Sequence, residues 1–274
     1  METYRLKNIA ILILLLLNGF LLALLGYQYL QSHRAAEQTL RQLRGLMEGN
    51  ELSLLCSDAQ LLEPPLSPLA LQRSGETEEA IAAYLLGGQP EAARQGGGSI
   101  VSYSTGSGSI QFRAGGGFGG SGLSTPVSDI DDFSRQFCQA FGYGDMVSQL
   151  SGQGGSVTAT QYVAGVPVVG CEVTLSFENG ALTGVTGSHA GMEDAAGDGA
   201  APAEGDQLSC VTALVRFLDY RNASSIVCRE VRSVQCVYVL QSASSALRLL
   251  PVWQLETDTY VYFVDCSSGE VSRR

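Results

Sequence analysis

Ile9 to Leu25 is apolar except at Asn18 and Gly19, and a run of that length constrains the chain more than any other feature. Tyr4, Arg5 and Lys7 precede it, and Tyr27, Tyr29 and Arg34 follow. Tyr and basic residues at both ends are what a spanning helix places at the water interface. The run is at the short end for crossing about 30 Å of hydrocarbon, and Tyr27 to Leu30 extend it. A cleaved leader is the competing reading. Gly26-Tyr27-Gln28-Tyr29 is a poor cleavage context, because no small-x-small site follows the run. Residues 1–30 are therefore expected to be a short tail and a single-pass anchor, and the positive-inside count, Arg5 and Lys7 against Arg34, Arg41 and Arg44, is nearly balanced, so the residues alone leave its orientation open. Inside it, Gly19 and Ala23 are spaced so that a second helix can approach, with Gly26 near by, and Asn18 supplies an amide where water is absent. Asn18, Gly19, Ala23 and Gly26 are the candidate partner-binding residues.

The chain has 274 residues, so enough remains beyond the anchor for one large domain or two small ones with real cores. Its net charge of -11 is unevenly spread. Residues 1–50 hold five Lys/Arg and three Asp/Glu, whereas residues 51–274 hold eleven and twenty-four. A domain that acidic repels phosphate backbones and anionic headgroups, which argues against nucleic acid as a partner. Seven cysteines stand at 56, 138, 171, 210, 228, 236 and 266, with no C-x-x-C pair. A zinc site needs close-set ligand pairs, and none is present. One disulfide is possible, but the sequence does not name its partners.

Past the anchor, the sequence predicts a stalk and connector over residues 31–97. Leu40, Leu43, Leu46 and Met47 mark a helical stripe stopped by Gly49-Asn50. Residues 51–75 read as an extended, Pro-containing connector, and Glu76 to Leu86 as a short helix. A first half over 98–190 opens with a hairpin, Ser99 to Ser104 and Ser109 to Arg113. A glycine-rich loop, Ala114 to Thr125, comes next. Then Ser128 is placed to cap a helix whose first turn holds Asp129, Asp131 and Asp132. Strands are predicted at 157–164, 166–177 and 181–188, with the Asn179-Gly180 hairpin signal between the last two. Residues 191–205 read as an acidic linker. The order recurs over 206–274: a helix to Tyr220, then strands at 226–240, 246–256 and 260–265. The expected fold class is α+β, with two repeats of one helix on a three-stranded antiparallel sheet.

Pro251-Val252-Trp253-Gln254-Leu255, Tyr260 to Asp265 and Gly269-Glu270-Val271 resemble the closing hairpin of a PepSY-type module. Lys7-Asn8-Ile9 leading to Leu17-Asn18, with Tyr84-Leu85-Leu86-Gly87 further on, resembles the YycI and YycH proteins, accessory regulators of a cell-wall-monitoring two-component system in Gram-positive bacteria. The glycine-rich loop, the acidic linker and the seven cysteines depart from that pattern. The resemblance implies a cytoplasmic N-terminus and an extracytoplasmic domain at the cell membrane. It implies a sensor histidine kinase as partner, with a sister YycH-like regulator. The alternative it implies is a PepSY-type module that inhibits or chaperones an extracytoplasmic peptidase.

The residues offer little chemistry to set beside this. Gly115-x-Gly117-x-x-Gly120 matches a dinucleotide fingerprint only formally, because no helix opens at those glycines. His189 is the only histidine beyond the stalk, and no Gly-x-Ser-x-Gly elbow accompanies it. Glu78-Glu79 and Asp131-Asp132 sit in helix first turns, where the dipole and solvent explain them. Asn222-Ala223-Ser224 is a chance sequon, and Trp253 reads as a core aromatic. The expectation is a protein that is not an enzyme and needs no cofactor or metal.

Overall fold

The structure, a computed structural model, describes Asn18, Phe20 and residues 35–191, 207–243 and 246–273. Asn18 and Phe20 are helical and exposed. The rest of the expected anchor, including Gly19, Ala23 and Gly26, and the acidic linker after Gly191 lie outside the described residues. Among the described residues no helix is long and apolar enough to cross a membrane.

Helix α1 covers residues 35–49. It is followed by β1 (Ser53–Leu54), α2 (Asp58–Leu61), β2 (Leu69–Leu71) and α3 (Gly75–Leu86). The segment read as stalk and connector thus carries regular structure, and it packs. Leu40, Leu43 and Met47 are buried beside Leu52 and Leu61 in a core they share with residues 210–266. Ser57 and Gln60 close a capping box at α2. Ser74 caps α3, which ends on Gly87 in the left-handed conformation.

Strands β3 (Glu91–Gln95), β4 (Ile100–Thr105), β5 (Gly108–Arg113) and β6 (Gly117–Pro126) form an antiparallel run. Helix α4 (Ile130–Phe141) is capped by Asp129, one residue after the expected Ser128, and Gly142 ends it. Then come β7 (Tyr143–Ser151), β8 (Gly154–Val163), β9 (Val166–Glu178) and β10 (Ala181–Ser188). Asn179 and Gly180 both take positive φ, 52° and 72°, as the turn between β9 and β10 requires. Helices α3 and α4 bury Ile81, Leu85, Phe137 and Phe141 against Phe112, Phe118, Val173 and Phe177.

Beyond residue 206, α5 (Cys210–Ala223), capped by Ser209, precedes β11 (Glu230–Ala243), β12 (Ala246–Thr257), β13 (Val261–Asp265) and β14 (Val271–Arg273). Phe217, Leu214 and Met47 meet Trp253, Tyr262 and Val264 in the second core.

The expected pair of α+β repeats, each one helix on a three-stranded antiparallel sheet, is overturned. All the strands join one mixed 14-stranded sheet, ordered β14-β13-β12-β11-β9-β10-β6-β5-β4-β3 along its main path. Four physical causes account for the difference. The glycine-rich stretch is strand β6, paired with both β10 and β5. Polar β7 adds a strand beside β8. Strands β1 and β2 return from the N-terminal segment to pair with β11 and β12. Finally, β9 changes neighbour along one edge. It pairs antiparallel with β10 near its C-terminal end and parallel with β11 at Val168 and Val169. Gly170, at φ 81°, lies between the two pairings.

Glycine in β6 is a packing requirement. A Cβ on Gly120 would stand 2.5 Å from the carbonyl oxygen of Ser109, which is fixed backbone. Gly120→Ala is therefore expected to cost about 2 kcal/mol as β5 and β6 are forced apart. Urea unfolding followed by circular dichroism measures this. A variant as stable as the parent would show that the strands do not need to approach so closely.

Candidate functional site

Side chains alternate across a strand, so a strand can serve two surfaces. On β11, Val234 and Cys236 face the core shared with α5. Val237 faces the other way and joins Val252 and Phe263 in a separate apolar cluster, with Val169, Val239 and Val261 packed at its margin. No helical residue belongs to that cluster. The second half therefore has one face covered by helices, while on the other Val237, Val252 and Phe263 are buried without a helix over them.

A groove runs along this second face. Its first arm has a volume of about 350 Å³ and is floored by Val169, Val239, Leu250, Val252 and Phe263. Asp265 and Glu270 stand at its rim. Burial opposes the charge on Asp265. Hydrogen bonds from the amides of Ser267 and Ser268, each 2.8 Å, and from Ser267 Oγ outweigh it and hold the carboxyl below its usual range. The second arm, about 490 Å³, shares Val169 and continues past Gln235 and Gln254 to Asp145, Tyr162 and Glu172. The Tyr162 hydroxyl donates to Asp145, which raises the phenol's pKa. Among the described residues no Lys, Arg or His lines either arm, and the nearest cation along β12 is the exposed Arg248, paired with Gln241. Asp145, Glu172, Asp265 and Glu270 form no ion pair among the described residues.

His189 lies just past the end of β10 and is buried, with 5% of its surface exposed. Its partners fix its tautomer. Gln161 Oε1 accepts the Ala190 amide at 2.7 Å, so Gln161 Nε2 must be the atom 3.0 Å from His189 Nδ1. That amide donates, so Nδ1 accepts and the ring proton sits on Nε2. Tyr143 spends its hydroxyl proton on the Ser188 carbonyl, at 2.9 Å. Burial pulls the His189 pKa down to about 4. The imidazole is neutral and buried, and Ser74, which lines the same small hollow, accepts from the Thr77 amide as the cap of α3. Glu78 has a firmer explanation than the helix dipole, because Arg73 binds both its carboxylate oxygens through Nε and Nη2.

All seven cysteines are buried free thiols. Burial raises Cys171 and Cys210 to about 12 and Cys228 to about 11, so none of these three is a ready nucleophile. Contact with Cys266 lowers the pKa of Cys236, while Cys266 is raised. Among the described residues no group of three or more His, Cys, Asp or Glu could hold a metal ion.

Of the four candidate residues in the anchor, only Asn18 is among the described residues. The groove was not foreseen. Its signal was present in β11 and β12, whose runs are apolar at successive positions where a strand with one wet face would alternate.

No protein-family model matches the chain, and no curated protein matches it in sequence. Among solved structures it is similar to the Bacillus megaterium YpeB C-terminal domain, at 10% identity and a TM-score of 0.34. The match covers 74% of this chain and 98% of that one. This is a weak structural neighbour. The likeness concerns the fold at most, and no site or partner passes from it to this chain.

Proposed function

We propose that this protein is a non-enzymatic docking module, held at the cell membrane by residues 9–25, that regulates a sensor histidine kinase through protein contacts. The supporting observation is the shallow groove in which Val239 and Leu250 are half-buried without a covering helix, while four carboxylates along it form no ion pair among the described residues. The kinase is named on the sequence resemblance, with a sister regulator as a second component of the same complex. Regulation would be a population shift, in which the complex favours one kinase conformation by differential contacts.

A photo-crosslinking amino acid at Leu250, followed by gentle detergent extraction, tests this reading. Capture of a histidine kinase is the expected result. Capture of a peptidase would replace the kinase with the alternative partner, and no crosslinked protein at all would refute docking through the groove. The anchor makes its own prediction. Asn18→Leu combined with Gly19→Leu is expected to weaken kinase capture several-fold, since an interhelical hydrogen bond in lipid is worth roughly 0.6–2 kcal/mol. Unchanged capture would reduce the anchor to a tether.

A further inference from the structure

The groove's charge specifies its occupant more narrowly than a docking surface alone requires. We infer that it binds a partner segment in which apolar side chains alternate with Lys or Arg. The inference rests on the groove being the docking surface. The apolar floor runs from Val169 across Val239 and Leu250 to Phe263, and carboxylates lie at both ends, Asp265 and Glu270 beyond the first arm and Asp145 and Glu172 beyond the second. A neutral segment seated there would remove those carboxylates from water without replacing the lost solvation. Basic side chains resolve the conflict. Their aliphatic stems lie along the apolar floor while their charged heads reach the carboxylates at the ends.

Other occupants meet like charge. A second copy would bring the same carboxylates onto the same face. The chain's own linker is acidic, with Glu193, Asp194, Asp198 and Glu204 and no basic residue. An anionic membrane surface is repelled by the same groove. The Asp265 hydrogen bonds add a preference of their own. They keep its carboxylate ionised, so the rim presents fixed negative charge to whatever docks.

The test uses the full chain in mild detergent and three synthetic peptides of equal length: alternating Leu-Lys, alternating Leu-Glu and alternating Ser-Lys. Methyl NMR reads Val169, Val239, Leu250 and Val252, and titration gives Kd. The Leu-Lys peptide is expected to shift those methyls, and the other two are not. Glu172→Lys and Glu270→Lys, both on the surface, are each expected to weaken Leu-Lys binding by about tenfold at low salt. Equal binding of the Leu-Glu peptide would overturn the basic requirement and leave the docking surface standing. Equal binding of the Ser-Lys peptide would overturn the apolar requirement. If no peptide moves the methyls, the inferred chemistry is wrong, and crosslinking from Leu250 then decides separately whether a protein docks there at all.

Discussion

Trp253→Ala is expected to remove about 4 kcal/mol of stability, the largest effect of any single truncation in the second half. Trp253 is fully buried and shares its core with Phe217, Tyr262 and Met47. Truncation to Ala leaves a cavity that α1 and α5 cannot both close, since each is tied to the sheet through neighbouring side chains. The indole also carries a polar duty. Its Nε1 donates to the Leu208 carbonyl at 2.8 Å, fixing the residue just before the Ser209 cap of α5. Trp253→Phe separates the two contributions, because it keeps most of the packing and leaves the Leu208 carbonyl unpaired. That variant is expected to lose about 1–3 kcal/mol. Equilibrium urea unfolding with unchanged m-values measures both. An Ala variant within about 1 kcal/mol of the parent would mean that this core is not closely packed.

A second large effect belongs to His189, and its sign follows from the direction of the shift. The native ring is held to about 4, below the ordinary value of 6.5. The unfolded chain therefore binds a proton that the native protein refuses. The stability associated with the neutral ring is complete above pH 6.5, falls as the pH drops towards 4, and changes no further below that. At about 1.4 kcal/mol per pKa unit, the loss amounts to roughly 3 kcal/mol. The hydrogen-bond pattern gives a local reason beyond burial. A proton on Nδ1 would face the Gln161 amide N–H, so charging the ring breaks a bond as well as losing solvation. Its buried neighbours Tyr143 and Cys171 keep their protons throughout this range. Burial holds the Tyr143 hydroxyl well above 10 and the Cys171 thiol at about 12. Arg73 is engaged by Glu78 across the small hollow they share with His189. Stability measured from pH 7 to pH 4 in the parent and in His189→Gln should diverge in slope by this amount. Parallel curves would show that His189 does not titrate between the two states.

The elements legible in the sequence are those whose side chains advertise a period. The α4 stripe of Phe133, Phe137 and Phe141, its acidic first turn, and the β9–β10 hairpin at Asn179-Gly180 were all readable for that reason. Strand β6 was not, because Gly117, Gly119, Gly120 and Gly122 leave no side chain to alternate, and glycine normally argues against a strand interior. What selects glycine there is the approach of β5 and β10, a tertiary constraint invisible in a local window. Strand β7 hid for a different reason. Asp145, Ser148, Gln149 and Ser151 are exposed on a strand that pairs only with β8, so its composition is that of a loop. The merger of the two halves depends on the Val168–Tyr238 and Val169–Val239 pairing, which nothing in either strand alone announces. The groove follows from that merger, since Val169 belongs to one half and Val239 to the other.

The parallel pairing of Ser53 with Glu230 and Leu54 with Val231 sets an order of events. The strand that finishes the C-terminal half is made near the beginning of the chain, so synthesis from the N-terminus does not deliver that half as a self-contained unit. Residues 35–71 must wait, with Leu40, Leu43 and Met47 uncovered, until β11 and β12 have emerged. Ring closure over so long a stretch makes the final docking slow and exposes apolar surface in the meantime. A protein built this way completes itself only after its last strands are released, and a holding chaperone would find its binding site in residues 35–71 rather than in the last strands.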